Sequence, residues 1–350
     1  VLEDCGYLPR AAYLMDRLLS FCGLSGKSFI PLLSSFACAV PGVMAARTIE
    51  DRNDRLTTIL VAPLMSCSAR LPVYMIFIAA FIPNRPVFGS WINLQGLTLF
   101  AMYLLGVVVS IPVAWILKRW LSHGRESSFL LEMPTYKWPS IHNVLFYVYD
   151  RVKSFIIRAG TLIFFITVIV WALAYFPRPA SIHEQYESLR AQASSSEEIL
   201  RLNNRENGDY IRQSILGRMG QAVEPVVEPL GWDWRIGMAT LASFPAREIV
   251  VAVLGAVFNL GGEQGEDSQA LRATLQTVRK EDGTPLFNIA VALSIMVYFA
   301  LCCQCGATLA AIKRETNSWG WASFTFIYMT ILAYGAAFLT YQIGCKIGLG

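Results

Sequence analysis

Charge is scarce in this sequence, and histidine scarcer still. Asp, Glu, Lys and Arg make up 15% of the 350 residues, against roughly 25% in ordinary soluble domains. That deficit argues against a large soluble helical protein. The formal net charge of +4 leaves no nucleic-acid footprint, because the basic residues stand in loops between apolar stretches and report topology instead. The three histidines, His123, His142 and His183, fall in segments that read as loops, so a buried histidine-based metal site is not supported. No paired CxxC…CxxC arrangement occurs, which argues against structural zinc. The eight cysteines do not suggest a disulfide framework. Cys38, Cys67, Cys302, Cys303 and Cys305 lie within apolar blocks, where thiols often serve as small core residues. Cys5, Cys22, Cys302, Cys303 and Cys345 are read as packing. Val1 is not an initiator Met, and no charged segment precedes an apolar one and a cleavage site. The chain is therefore expected to begin partway through a larger protein. Gly26-Lys27-Ser28 ends like a phosphate-binding loop, but that pattern needs glycine where Phe21 stands.

What the sequence does hold is apolar length. Hydrophobic residues reach 55% and mean hydropathy is +0.46, in runs close to the ~20 residues a helix needs to cross the hydrocarbon core. The blocks are A (29–46), B (56–82), C (94–117), D (155–176), A′ (236–258), B′ (287–312) and E (322–343). C, D and E read as plain spanning helices, with Pro112 placed to kink C. The other four carry polar, Pro- or Gly-containing interruptions: Ala37-Cys38-Ala39-Val40-Pro41, Ser66-Cys67-Ser68-Ala69-Arg70-Leu71-Pro72, Ser243-Phe244-Pro245-Ala246-Arg247-Glu248 and Cys302-Cys303-Gln304-Cys305-Gly306. Non-helical backbone at membrane depth is tolerated only where protein or a water-filled cavity surrounds it. Four interruptions in one chain point to a transport pathway. Residues 177–235 read as a polar extramembrane insert, whose last part (215–230) resembles an in-plane helix, as does 10–21 before block A.

The interrupted blocks are related by displacement. A shift of 208 residues places Gly23 on Gly231, Ser35 on Ser243, Phe36 on Phe244 and Asp16 on Glu224; a shift of 238 places Cys67 on Cys305, Ala69 on Ala307 and Leu71 on Leu309. A pairs with A′ and B with B′, in order, as an internal duplication would give. Arg47, Arg52 and Arg55 mark the A–B loop as cytoplasmic, and Lys118, Arg119, Arg125, Lys137, Arg151 and Lys153 mark the C–D connection likewise. A then enters and leaves from inside while A′ does so from outside, an inverted-topology repeat. Arg272, Arg279 and Lys280 between A′ and B′ leave a fully crossing A′ as the competitor. The expected fold is all-α: a polytopic transmembrane helical bundle with two gate-type repeats of broken or re-entrant helices in inverted topology. Its divisions are a first gate repeat (1–82), two spanning helices and their connection (83–176), the insert with its interfacial helix (177–235), a second gate repeat (236–316) and a C-terminal membrane helix (317–350).

Soft sulfur ligands at a helix break suit transition metals and disfavour magnesium and calcium. Cys38 and Cys67 stand at the breaks of the first repeat, and Cys305 at the second-repeat equivalent of Cys67. Each is as readily packing as ligand. Glu248 occupies the remaining break, and Met65 and Met44 offer thioethers. Ionisable residues within a membrane segment cost about 2.5–3.5 kcal/mol on insertion scales and so face a cavity or a partner. Arg70 and Arg247 are thus pathway candidates, although Arg70 would equally cap carbonyls of an interrupted helix and Arg247 would equally neutralise Glu248. Ser66, Pro41 and Pro245 complete the set as pathway or structural residues.

Several of these segments carry a family resemblance. Leu2-Glu3-Asp4-Cys5-Gly6-Tyr7-Leu8-Pro9-Arg10-Ala11-Ala12-Tyr13 resembles the LEDSGYxxRAAF signature of the ferrous-iron transport protein B (FeoB) family. Gly26-Lys27-Ser28-Phe29-Ile30-Pro31 with Phe36-Ala37-Cys38-Ala39-Val40-Pro41 is similar to that family's first gate motif. Leu60 to Tyr74 matches its second element, Phe244-Pro245-Ala246-Arg247-Glu248-Ile249-Val250 resembles the second gate, and Gln304-Cys305-Gly306-Ala307-Thr308-Leu309-Ala310 is close to the C-terminal QCxATLA segment. Ala37 and Ala39 depart from the usual Gly and Asn, and Cys5 from a common Ser. The resemblance implies Fe²⁺ as transported ion across the bacterial cytoplasmic (inner) membrane. Cys38 and Cys67 would make the first metal contacts, followed by Cys305 and Glu248. It also implies a GTP-binding domain, using GTP and Mg²⁺, outside these residues, so this fragment is not itself expected to be an enzyme. The implied partners are the lipid bilayer, that domain, a small FeoA-like accessory protein and further copies of the chain, with no nucleic acid. Two other readings keep the membrane assignment: a gate-type transporter of a nucleoside or other small solute, and a nucleotide-controlled receptor without flux.

Overall fold

Proline and side-chain caps set where helices begin in this chain, and glycine sets where some of them end. The computed structural model describes residues 5–88, 92–122, 136–191, 196–244, 247, 249–258, 269–279 and 285–348. Helix α1 (Tyr7–Phe21) closes on Gly23, left-handed at φ 75°, with the Leu24 amide donating back to the Leu19 carbonyl at 3.0 Å. This is the glycine-terminated cap that leaves no orphan carbonyl. Two seven-residue helices follow, α2 (Phe29–Ser35) and α3 (Ala39–Ala45). Asp51 then caps α4 (Arg52–Val61), accepting from the Asn53 and Asp54 amides at 2.9 and 2.8 Å. Single 3₁₀ turns at Ala62–Leu64 and Ser68–Arg70 separate α4 from α5 (Leu71–Phe81).

A two-stranded antiparallel hairpin, β1 (Pro86–Phe88) and β2 (Ile92–Asn93), leads into α6 (Leu94–Ser122). Apart from this small ribbon and an isolated bridge between Arg279 and Pro285, the regular structure of the described residues is helical, as the all-α expectation has it. The long α6 runs through Pro112 without interruption. α7 (Ile141–Phe155) continues through a π-helical turn at Ile156–Gly160 into α8 (Thr161–Tyr175). Block D is therefore not a plain helix starting at 155: it begins fourteen residues earlier and carries an i→i+5 turn of the kind that inserts one extra residue into a helix. The insert folds as α9 (Ala180–Arg190), α10 (Ser196–Gln213) and α11 (Ile215–Val227), and α12 (Trp234–Ala242) and α13 (Ile249–Val257) follow. The remaining helices are α14 (Gln269–Thr277), α15 (Ile289–Leu301), α16 (Gly306–Thr316) and α17 (Trp319–Ile347). His142 lies on α7 and His183 on α9, not in loops; His123 is outside the described residues.

Among the described residues, four stretches are long and apolar enough to cross a membrane: Arg52–Phe81, Leu94–Leu121, Ile289–Thr316 and Trp319–Ile347. The first and third contain the expected interruptions, so each is a pair of helices in tandem. The chain divides into two compact units, residues 1–68, 101–163 and 300–331, and residues 69–100, 164–299 and 332–350.

Polar contacts organise the first unit. Asp54, 1% exposed, is ion-paired with Lys118 of α6. Ser28 and Thr58 share a buried hydroxyl contact of 2.8 Å. Arg47 clasps Glu315 of α16 through two bonds of 2.6 Å, the bidentate geometry that strengthens an arginine–carboxylate pair. The Tyr328 hydroxyl donates to the Leu60 carbonyl. In the second unit, Leu216, Met238, Ala242 and Val257 form a core against Val170 and Leu173 of α8. Phe77, Phe81, Phe258 and Phe287 cluster, with contacting ring centroids 5.8–6.4 Å apart. Within the insert, Glu206 joins α10 to α9 by accepting from Arg190 and lying 3.1 Å from His183 Nδ1.

Elements also recur at the 208-residue displacement. α11 starts at Ile215, the position reached from the first residue of α1, Tyr7, and Gly231 (φ 79°) follows it as Gly23 follows α1. Asp16 accepts from the Gly26 amide at 2.6 Å, and Glu224 accepts from the Trp234 amide at 3.4 Å.

The α2–α3 pair is a hairpin. A Cβ built on Gly42 would lie 2.8 Å from the Pro31 carbonyl oxygen and 1.9 Å from Ser35 Oγ. In a straight helix those eleven residues would be about 16 Å apart, so α3 folds back on α2. Each helix is about 10 Å long, far short of the ~30 Å hydrocarbon core. Gly42→Ala is expected to destabilise the chain by about 1–3 kcal/mol, read as a lowered melting temperature in detergent; an unchanged melting temperature would mean the hairpin is looser than described.

Candidate functional site

The first and fourth interruptions fall in the first unit, and the second begins there, at Ser66–Ser68. At the first, α2 stops at Ser35 and the chain passes through Phe36 and Ala37 to Cys38, which is extended (φ −157°, ψ 135°) and stands at the N-cap of α3. Pro41 is exposed in the first turn of α3, where its missing amide is no loss. The break thus precedes the proline rather than occurring at it. Pro72 stands likewise at the start of α5.

At the second interruption, Met65 leaves the 3₁₀ turn with ψ 131°, and Ser66 and Cys67 are non-helical. Met65 is 4% exposed, and Ser66 and Arg70 are fully buried. The burial of Ser66 depends on Gly106 of α6: a Cβ there would lie 2.8 Å from the Leu64 carbonyl oxygen and 3.0 Å from Ser66 Oγ. The two interruptions are tied together, since Ser68 Oγ donates to the Ala37 carbonyl at 3.0 Å. Cys38 and Cys67 each neighbour that bond in sequence.

The fourth interruption runs through Cys302, Cys303 and Gln304, all buried, to Cys305. Cys305 is extended (φ −156°, ψ 102°) at the N-cap of α16, as Cys38 is at the N-cap of α3. Val40 and Ala307 pack together, bordered by Cys38, Met44, Cys305 and Ala311. The starts of α3 and α16 therefore meet with a thiol on each. Cys38, Cys67 and Cys305 are all half-buried, and no disulfide joins any of the eight cysteines. Cys22, Cys302 and Cys303 are buried as packing residues, whereas Cys345 is exposed on α17, where the side chain faces away from the core it was expected to fill.

The third interruption belongs to the second unit. Ser243 is buried, and Arg247, 4% exposed, donates from Nη1 to the Phe299 carbonyl at 3.1 Å. Arg247 thus serves the last turn of α15, just before the fourth interruption in sequence. Pro245 and Glu248 lie outside the described residues. Among the described residues no three His, Cys, Asp or Glu side chains are assembled around one point as a metal cage. What the interruptions offer is open: half-buried thiols, helix N-termini and backbone carbonyls. Sulfur and carbonyl oxygen together suit a borderline transition-metal ion in passage.

Two family models match the chain. One, the Gate family described as nucleoside recognition, covers residues 1–81 and 156–319; the other, described as the ferrous iron transport protein B C terminus, covers 99–151. The chain belongs to the FeoB family. It is 43% identical over 348 residues to the Fe(2+) transporter FeoB of Leptospira biflexa, covering 99% of this chain and 47% of that protein. Its identity to the Fe(2+) transporter FeoB of Helicobacter pylori strain J99 is 35% over 350 residues, covering 97% and 52%. A Fe(2+) transport protein A/Fe(2+) transporter FeoB fusion protein of Porphyromonas gingivalis is 36% identical over 355 residues, covering 98% and 41%. The chain spans about half the length of these relatives. It corresponds to the membrane part of FeoB, not to a GTPase domain, and is a multi-pass protein of the bacterial cytoplasmic membrane. No solved structure matches it.

Ser68, Gly106, and the Asp54–Lys118 and Arg47–Glu315 pairs were not singled out from the sequence. A lone glycine inside an apolar helix is a signal for close backbone approach and would have found Gly106; nothing local marks the other partners. Gly106→Ala is expected to push α6 off the second interruption, costing about 1–3 kcal/mol and speeding maleimide labelling of Cys67. Unaltered labelling and melting would show that α6 does not cover Ser66.

Proposed function

We propose that this chain forms the membrane pathway for ferrous iron uptake. One observation carries the reading: two thiol-bearing helix breaks are hydrogen-bonded together, Ser68 to Ala37 at 3.0 Å, in a chain 43% identical to a protein named Fe(2+) transporter FeoB. Iron stripped of water passes between sulfur and oxygen ligands. Cys38 and Cys67 make the first contacts, and Cys305, Met65 and Glu248 continue the path. Ser66 lines it, and Arg70 and Arg247 hold the broken backbone; the Arg247 bond to the Phe299 carbonyl supports that role.

The two gate repeats, 1–82 and 236–316, act as inverted copies whose site is exposed alternately to either face. The recurrence of α1, Gly23 and the Asp16 cap as α11, Gly231 and the Glu224 cap supports the duplication. Control comes from a cytoplasmic domain that binds GTP and Mg²⁺. A FeoA-like protein is a further partner, a reading favoured by the relative that is a fusion of the two, and the chain assembles with copies of itself. A second reading, an organic solute as cargo, is favoured by the description of the Gate family as nucleoside recognition; the Cys-, Ser- and Ala-rich breaks fit it less well.

Proteoliposomes holding the chain together with the GTP-binding domain are expected to take up radiolabelled Fe²⁺ but not nucleosides. Cys38→Ser and Cys67→Ser should each lower initial uptake about tenfold or more without altering membrane insertion. Wild-type rates in both variants would remove the thiols from the path, and nucleoside uptake without iron uptake would replace the cargo.

A further inference from the structure

In the first unit a cleft of about 260 Å³ opens between the start of α4 and the α16–α17 turn, lined by Arg52, Arg55, Leu56, Glu315, Asn317 and Trp321. Arg47 is clasped by Glu315, Lys118 by Asp54 and Lys27 by Glu50, whereas Arg52 and Arg55 have no ion pair among the described residues. The α4 N-terminus is already capped by Asp51, so what faces the cleft is side-chain charge.

The position of the cleft relative to a bilayer follows from the helix limits. Of the four apolar stretches, one starts at Arg52, one ends at Leu121, one ends at Thr316 and one starts at Trp319. Those limits mark one level along the unit, and the indoles gather there. Trp120 is 59% exposed and packs on Trp321 and Phe324 with centroids 6.2 and 5.7 Å away; Trp319 is 68% exposed, with Lys313 5.3 Å from its ring. Tryptophan belts of this kind sit at the headgroup level. Along α4, Arg52, Arg55, Leu56 and Ile59 share a face by their i, i+3, i+4, i+7 spacing. That face passes from cationic at the span's start to apolar one and two turns deeper, which is the polarity profile of a phospholipid from headgroup to chain.

We propose that this cleft binds the phosphodiester headgroup of an anionic phospholipid, Arg52 and Arg55 engaging the phosphate and the first acyl carbons lying along Leu56. Basic pockets between membrane helices bind such headgroups by charge and by desolvation together. The site is separate from the helix breaks and does not depend on the cargo.

The test uses the chain purified in neutral detergent, with short-chain phosphatidylglycerol added and the melting temperature followed. Phosphatidylglycerol is expected to raise it by about 2 °C or more, and phosphatidylcholine of the same chain length, inorganic phosphate and oligoglutamate to leave it unchanged. The double variant Arg52→Gln/Arg55→Gln should need roughly thirtyfold more phosphatidylglycerol for the same shift, while Arg52→Lys/Arg55→Lys should keep most of the response. Equal shifts from phosphatidylcholine would overturn the charge requirement, and equal shifts from phosphate or oligoglutamate would replace the lipid by a soluble anion or an acidic protein segment. No shift in the wild-type chain, which needs no variant to fold, would sink the proposal.

Discussion

A carbonyl or amide stripped of both water and a partner is expensive inside a bilayer, by several kcal/mol. Every helix break in this chain has to meet that constraint, and the structure shows side chains from other elements doing so. Ser68 serves the Ala37 carbonyl, Tyr328 serves Leu60 and Arg247 serves Phe299. Gly106 performs the complementary task by letting α6 close over Ser66 and the Leu64 carbonyl. The interruptions are therefore features of packing. Local sequence opens the helix, but only tertiary contacts make the opening tolerable in an apolar medium. Residues that satisfy these carbonyls are therefore as necessary to the breaks as the prolines and polar residues within them.

Much of the architecture was legible in the sequence because its signals are local. Apolar length marked the spanning stretches, and Cys38, Cys67 and Cys305 stand within non-helical turns where the polar interruptions put them. The displacement that relates Gly23 to Gly231 holds for backbone conformation as well as residue type. What stayed hidden was non-local. Asp54 and Lys118 are 64 residues apart and Arg47 and Glu315 are 268 apart, so each read as an ordinary loop or helix-end charge. Pro41 and Pro72 stand in the first turns of α3 and α5, and the non-helical residues lie just before them, within the interruptions marked in the sequence. His142 and His183 stand outside the apolar blocks, where an amphipathic helix and a polar loop have similar compositions, yet both lie on helices. The π-helical turn at Ile156–Gly160 has no sequence signature of its own.

The local conformation of the thiols is also informative. Cys38 and Cys305 share an extended backbone at the start of a helix, and their helices touch there through Val40 and Ala307. An extended N-cap turns its own carbonyl toward the helix while leaving the preceding chain outside it. Each thiol thus stands beside non-helical backbone at the point where its helix begins, so sulfur and peptide carbonyls occur together within one short stretch of chain.

The tight seam between α2 and α3 has a mechanical consequence. With Gly42 lodged against Ser35 and Pro31, the two helices cannot slide past one another without opening the seam. Just beyond α3, Arg47 is clamped to Glu315 at the far end of α16, and the start of α16 meets the start of α3 through Ala307 and Val40. α3 is thus fastened to α16 near both of its ends, so a shift of α16 would carry Cys38 with it.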